Sequence, residues 1–375
     1  MVRLDEAIAV TPAYVRTGVR DPLLDRYPSR SVYSATIPSF WTIGSVVHGG
    51  FLLSLLTRAA TTHQRLHSSA KHLDPAHLSS QFLTASVAGS AQVEVTIVST
   101  SKRWTRLDVE LWQYNEPEST QPREYTSKST SRTLRIKAHY LFTKLENVYD
   151  LPVSSDSTDL VPTYLERECP ILRHPAELKD VEYSEIPGKF SFKDGMRWKE
   201  VECEREGGEL RWACWFEVTQ GEDLTKLADL VPFFADCSKN GPEVLGQTPG
   251  RSRPKPSWYP TLTLAMDFKT SFPLPPSADA SKTTFGLFAT TKSIQAGRHD
   301  LTVEVWTSPS DLGTAAKSGK DFDKEWRKKA RCVGISTQMA LTTPMSFNTS
   351  KASPGGSSSS DSDSSGSDTE RKARL

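Results

Sequence analysis

The sequence predicts an α+β protein made of two similar units, each a helix followed by antiparallel strands. Three observations predict it. Two stretches carry apolar residues at helical spacing, one near each half's start. Each is followed by runs in which apolar and polar residues alternate. A strand-like hexamer of the first half returns in the second, after the same succession of elements.

In the first unit the helix opens at Val47-His48-Gly49-Gly50-Phe51. Its buried stripe is Phe51, Leu52, Leu55, Leu56 and Ala59, the i, i+3, i+4 pattern of a helix with one apolar face. Strand-like runs follow at Leu78–Ala85, Ala91–Ser99, Trp104–Tyr114 and Thr133–Phe142. Alternation in Leu107-Asp108-Val109-Glu110-Leu111-Trp112 describes a strand with one buried and one wet face. In the second unit the stretch Asp223–Cys237 carries Leu224, Leu227, Ala228, Leu230 and Val231 and predicts a helix. Strand-like runs come after it at Thr261–Phe268, Thr283–Ile294, Leu301–Trp306 and Cys332–Thr342. Leu301-Thr302-Val303-Glu304-Val305-Trp306 repeats the pattern of the earlier hexamer.

Composition shifts set the boundaries. The units span 1–148 and 181–348. A connector, 149–180, is punctuated by Pro152, Pro162, Pro170 and Pro175 and is expected to bury little. The stretch 349–375 is rich in Ser and Asp, with almost nothing apolar to bury, and predicts disorder.

The 375 residues hold 46 Lys+Arg against 45 Asp+Glu, a net charge of +1, which gives no whole-chain attraction to nucleic acid. The five cysteines (Cys169, Cys203, Cys214, Cys237, Cys332) are odd in number and scattered. That argues against a disulfide framework or structural zinc and for a reducing compartment. Asp5 and Glu6 sit where a secretory leader would be apolar, and the apolar run Phe51–Leu56, broken by Ser54, is far short of the ~20 residues a membrane-spanning helix needs. A soluble intracellular protein is expected, with no membrane span. No GxGxxG or GxxxxGK[ST] phosphate loop is present.

The order of elements, together with Val47-His48-Gly49-Gly50-Phe51, His77-Leu78-Ser79-Ser80-Gln81-Phe82-Leu83, Leu227-Ala228-Asp229-Leu230, Tyr259-Pro260-Thr261-Leu262-Thr263 and Gly334-Ile335-Ser336-Thr337-Gln338, resembles the acyl-CoA thioesterase II and thioesterase-like superfamily. The resemblance covers nearly all of residues 20–344. It implies a double hotdog, two helix-wrapped antiparallel sheets in one chain, and hydrolysis of fatty acyl-CoA without a cofactor or metal. It further implies a water held by an Asp on the second helix, a Thr or Ser early in the next strand and a Gln in the last strand. These fall on Asp229, Thr261 and Gln338, with Asp223 and Asp236 as rivals to Asp229 and Thr263 as a rival to Thr261.

The chemistry suits such a set. A thioester carbonyl is already electrophilic, so the site needs a directed water, a proton acceptor and donors for the developing oxyanion. Backbone N–H groups at a helix start are free to supply the donors, and Gly49 and Gly50 permit close approach there. His48 and Arg298 are further candidates for contact with the substrate. Gln81 and His139 are the only residues of the first unit that could serve a second site. Phe82, Trp104, Phe268 and Phe285 could line an acyl slot, and Arg103, Arg106 and Lys292 could meet coenzyme A phosphates.

The terminal Ala373-Arg374-Leu375 resembles the small-basic-leucine peroxisomal address, so a peroxisomal import receptor and the peroxisome are expected, with the cytoplasm as the alternative. A monomer and a homodimer are equally compatible with two fused units. Two rival functions remain open at the level of sequence: a hotdog enoyl-CoA hydratase or dehydratase, which needs a His and Asp pair, and a non-catalytic acyl-thioester-binding protein.

Overall fold

The computed structural model describes residues 3–16, 30–67, 71–114, 132–146, 167–178, 191–248, 250–251, 255–313 and 322–349. Most of the connector and the Ser/Asp-rich tail with Ala373-Arg374-Leu375 lie outside the described residues.

The first half contributes strands β1 (Thr11–Arg16), β2 (Arg30–Ile37), β3 (Asp74–Phe82), β4 (Gly89–Thr100), β5 (Thr105–Tyr114) and β6 (Arg132–Thr143). The second contributes β7 (Met196–Glu206), β8 (Glu209–Val218), β9 (Thr261–Phe268), β10 (Thr284–Thr291), β11 (Arg298–Thr307) and β12 (Cys332–Leu341). The helices that matter below are α1 (Leu4–Ala7), α2 (Gly49–His67), α3 (Val231–Ala235) and α4 (Gly241–Gln247).

The strands form one antiparallel sheet in the order β1-β2-β4-β5-β6-β3-β9-β12-β11-β10-β8-β7, with the two-residue strand Ile294–Gln295 paired to β11. Numbered within its own half, each set of five strands after the outermost one follows the order 1-3-4-5-2, and the outermost strand, β1 or β7, pairs with strand 1. The two sheets meet edge to edge at β3 and β9, where Ser79 opposes Ala265 and Gln81 opposes Thr263. The recurring hexamers lie on β5 and β11, the fourth strand of their respective halves, so the repeat predicted from them holds at the level of topology.

The α2 stripe is buried as the spacing requires. Phe51, Leu52, Leu55, Leu56 and Ala59 are all at most 2% exposed, and each of the larger ones contributes on the order of 1.5–3 kcal/mol by leaving water. On β5 the buried positions are Thr105, Leu107, Val109, Leu111 and Gln113, the period-2 face that packs on the helix side.

Three expectations need correction. The helix predicted from Asp223 begins later, as a 3-10 turn Ala228–Leu230 leading into α3. Asp223 Oδ1 accepts from the Thr225 N–H (3.2 Å) and hydroxyl (2.5 Å), a local bond that competes with helix formation. The strands preceding each helix, β2 and β8, and their partners β1 and β7, are not in the predicted set. The last part of the connector is also buried: Cys169, Ile171 and Leu178 pack with Trp215, Trp306 and Trp326 in a second core cluster.

Candidate active site

Where α2 begins, its free N–H groups are assigned one by one. His48 sits just before the helix, its own N–H donating to the Trp41 carbonyl (2.9 Å). The His48 Nδ1 accepts from the Phe51 N–H (3.3 Å), and the His48 carbonyl accepts from Leu52 (3.2 Å). The Gly50 N–H donates to Asp236 Oδ2 at 2.7 Å. Of the first four helical N–H groups only that of Gly49 has no protein partner among the described residues.

The glycines are required by proximity. A Cβ on Gly50 would lie 2.7 Å from the Asp236 Cβ and 2.8 Å from the backbone carbonyls of Phe233 and Pro232; on Gly49 it would lie 2.9 Å from Asp236 Oδ2. The double glycine therefore lets α2 press against α3 and brings the Asp236 carboxylate to the helix start.

Asp236 ends α3, with its side chain only 11% exposed. Burial pushes its pKa above the ordinary 3.8, opposed by His48, the Gly50 N–H and the Thr261 hydroxyl. The His48 Nε2 lies 3.6 Å from Asp236 Oδ2. Because Nδ1 accepts a backbone N–H, the neutral ring carries its proton on Nε2, facing the carboxylate. Burial lowers the His48 pKa, with Asp236 pulling the other way. The ring is enclosed by Phe192 and Phe233, with centroids 5.4 and 5.1 Å away.

Thr261 reaches the same carboxylate, and Gln338 binds the backbone carbonyl of the residue before it. Thr261 opens β9, and its Oγ1 is 3.5 Å from Asp236 Oδ1. An irregularity between Thr261 and Thr263 shifts the register against β12, so the two threonines do different things: Thr263 lines a groove on the outer face with Gln81 and His139. Gln338, buried on β12, donates Nε2 to the Ala235 carbonyl (2.8 Å). That bond fixes the amide orientation and leaves Oε1 as an acceptor.

Asp229 does not join this set. It sits on the 3-10 turn before α3, 3% exposed, with Oδ2 2.5 Å from Arg58 Nε of α2. Burial raises its pKa and Arg58 opposes the rise. No hydrogen bond or ion pair links it to Thr261 or Gln338 among the described residues. The carboxylate beside Thr261 is thus the rival, Asp236, seven positions further on. The sequence does carry a signal for it: a carboxylate closing an apolar helical run stands where the helix dipole disfavours it, and so needs a separate reason.

The remaining candidates divide. Phe82 stands at the site, its ring 3.3 Å from a Cβ built on Gly49. Phe268 and Phe285 are buried core, the latter against Phe234. Trp104 is in the β4–β5 turn, with Arg103 beside it and Arg106 at the start of β5; both arginines and Lys292 are exposed. Arg298 is exposed on β11, on the face opposite its buried neighbour His299, and so points away from the helix side. His139 is paired with Asp108 at 2.6 Å.

Two family descriptions match this chain: the acyl-CoA thioesterase N-terminal domain over residues 37–122 and the acyl-CoA thioesterase C-terminal domain over residues 167–312. The chain belongs to this acyl-CoA thioesterase family and has its two-domain hotdog architecture. The matched segments contain His48, Gly49, Gly50, Asp236 and Thr261, while Gln338 lies beyond them.

Similar solved structures include a conserved hotdog protein of unknown function from Alicyclobacillus acidocaldarius (13% identity, TM-score 0.58, covering 92% of this chain and 98% of that one). A putative thioesterase II from Thermobifida fusca shares 16% identity with a TM-score of 0.57, covering 91% and 98%. An acyl-CoA thioesterase II, TesB2, from Mycobacterium marinum shares 12% with a TM-score of 0.55, covering 92% and 100%. At these identities the likeness establishes the fold. A search of curated proteins gives no match. No helix among the described residues is long and apolar enough to cross a membrane.

Proposed function

We propose that this chain hydrolyses fatty acyl-CoA to the free acid and coenzyme A, with Asp236 as general base. The observation that carries the reading is the meeting of the α2 N-terminus and the Thr261 hydroxyl on one largely buried carboxylate, with the Gln338 amide bound to the carbonyl of the preceding residue, Ala235.

A water beside Asp236 passes a proton to the carboxylate while its oxygen attacks the thioester carbonyl carbon. A pKa raised by burial makes Asp236 a better proton acceptor than an ordinary aspartate. Gln338 Oε1 and Thr261 Oγ1 direct the water. The carbonyl oxygen, as it becomes an oxyanion, takes the Gly49 N–H at the helix start. Collapse of the tetrahedral intermediate breaks the carbon–sulfur bond, and the proton held by Asp236 goes to the departing thiolate. His48, neutral and donating toward Asp236, holds the carboxylate in place.

One observation favours a second reading. The hydratase chemistry needs a His and Asp pair, and the fold brings His48 of the first half to Asp236 of the second, a juxtaposition that neither half contains alone. A single assay separates the two. The full-length chain is given a panel of saturated acyl-CoAs with a thiol reagent, and enoyl-CoA in parallel. Hydrolysis releases free thiol from the saturated substrates, and the Asp236→Asn variant releases almost none. Loss of enoyl absorbance without thiol release would support the hydratase instead, and binding without either product would leave only a carrier of acyl thioesters.

A further inference from the structure

We infer that His299 is a positioning residue for Asp236, acting through Asn240; this rests on the reading of Asp236 as the base. Asp236 closes α3 and Asn240 opens α4, so the base rides on the short turn between them. Each side of that turn is tied to the sheet by one buried side chain. On the near side Gln338 donates to the Ala235 carbonyl at 2.8 Å. On the far side the His299 Nε2 lies 3.0 Å from Asn240 Oδ1.

The two anchors are neighbours. The register of β11 against β12 opposes His299 to Ala340 and Leu301 to Gln338, so His299 and Gln338 are diagonal positions on the helix-facing side. Ala340 in turn opposes Thr261 across β9. One row of the sheet, Thr261–Ala340–His299, therefore delivers a hydroxyl to the carboxylate and an imidazole to the end of its turn.

Two features show that the far anchor is a built one. Asn240 is at the N-cap of α4, where an asparagine ordinarily accepts an N–H of its own helix; here the side chain makes no cap bond, and its oxygen goes to His299 instead. His299 is also 2% exposed, a place where an apolar side chain would avoid the cost of burying an imidazole. Its Nδ1 has no partner among the described residues, so the contact with Asn240 is the polar bond that accounts for the ring. The edge of Tyr259 holds the ring from the side, at 5.8 Å and 86°.

The test uses the full chain, decanoyl-CoA and a thiol reagent. His299→Leu and Asn240→Ala each cut the link; kcat is expected to fall about 10–100-fold with KM nearly unchanged, because the base is displaced while substrate contacts stay. His299→Gln, which keeps an N–H donor facing Asn240, is expected to restore most of the rate. A melting curve for each variant reports folding. If His299→Leu does not fold, Asn240→Ala reads the same bond from a less buried position. Wild-type kcat in the variants that fold, a change confined to KM, or no rescue by glutamine would overturn the inference. Asp236→Asn is run beside them: a wild-type rate there sinks the reading of the base itself. An inactive Asp236→Asn with a fully active His299→Leu sinks the positioning role alone.

Discussion

The two ends of the α2–α3 helix pair are built on one plan and filled with different chemistry. In each half the last strand grips its own helix: Gln338 of β12 holds the Ala235 carbonyl, and Tyr140 of β6 meets the Thr57 hydroxyl at 3.0 Å. The residue following each gripped position then faces the start of the opposite helical segment. In one direction that residue is Asp236, reaching the Gly50 N–H at the start of α2. In the other it is Arg58, reaching Asp229 on the turn that leads into α3. Where the first end holds a carboxylate beside a close-packed double glycine and a threonine hydroxyl, the second holds a carboxylate paired through Oδ2 with Arg58. A pseudo-symmetric scaffold thus supplies two equivalent places, and side-chain identity at one position, Asp against Arg, separates the end proposed to be hydrolytic from the ion-paired one.

The contrast can be broken or sharpened by substitution. Asp236→Asn is expected to reduce kcat by about 10²–10⁴, the range for loss of a general base, with little change in melting temperature. Arg58→Met leaves Asp229 as an uncompensated buried charge and is expected to destabilise the fold by about 3–5 kcal/mol in denaturant unfolding, with part of the loss regained in the Arg58→Met, Asp229→Leu double variant. Gly50→Ala forces its Cβ against two carbonyls of α3 and the Asp236 Cβ; a cost of about 1–3 kcal/mol is expected, together with a loss of kcat that the Arg58 variants do not show. Thr261→Val, which removes one hydroxyl at 3.5 Å, should have the smallest effect, roughly tenfold in kcat or less.

Much of this was legible in the sequence, but unevenly. The α2 stripe and the alternation of β5 and β11 report the local period of burial, and the repeated order of elements exposes the two-fold plan. The Gly49–Gly50 pair is readable from the spacing at a helix start, whereas Thr261 and Gln338 were reached only through the family resemblance; the structure puts Thr261 beside Asp236 and binds Gln338 to the preceding carbonyl. Strands β2 and β8 were missed. The run Trp212–Val218 on β8 is buried at every position and so has no alternation to find. The choice between Asp229 and Asp236 depends on which end of a short helix meets the partner half, and on an arginine 171 positions upstream of Asp229 that neutralises it. The place of Asp236 at the close of an apolar helical run is a local hint, but the contacts that decide the choice lie between the halves and have no local signature. The same holds for His48, whose role depends on a contact between halves.

The central claim, that Asp236 and not Asp229 takes the water's proton, is tested most directly by the pH dependence of kcat/KM in three proteins: the wild type, Asp236→Asn and Asp229→Asn. A general base works only when ionised, so activity is lost as pH falls through its pKa; burial raises that pKa, and the acid limb should lie above the usual carboxylate range. The account predicts that this limb persists in folded Asp229→Asn and disappears from the residual activity of Asp236→Asn. A limb that survives in Asp236→Asn and vanishes in Asp229→Asn would contradict it.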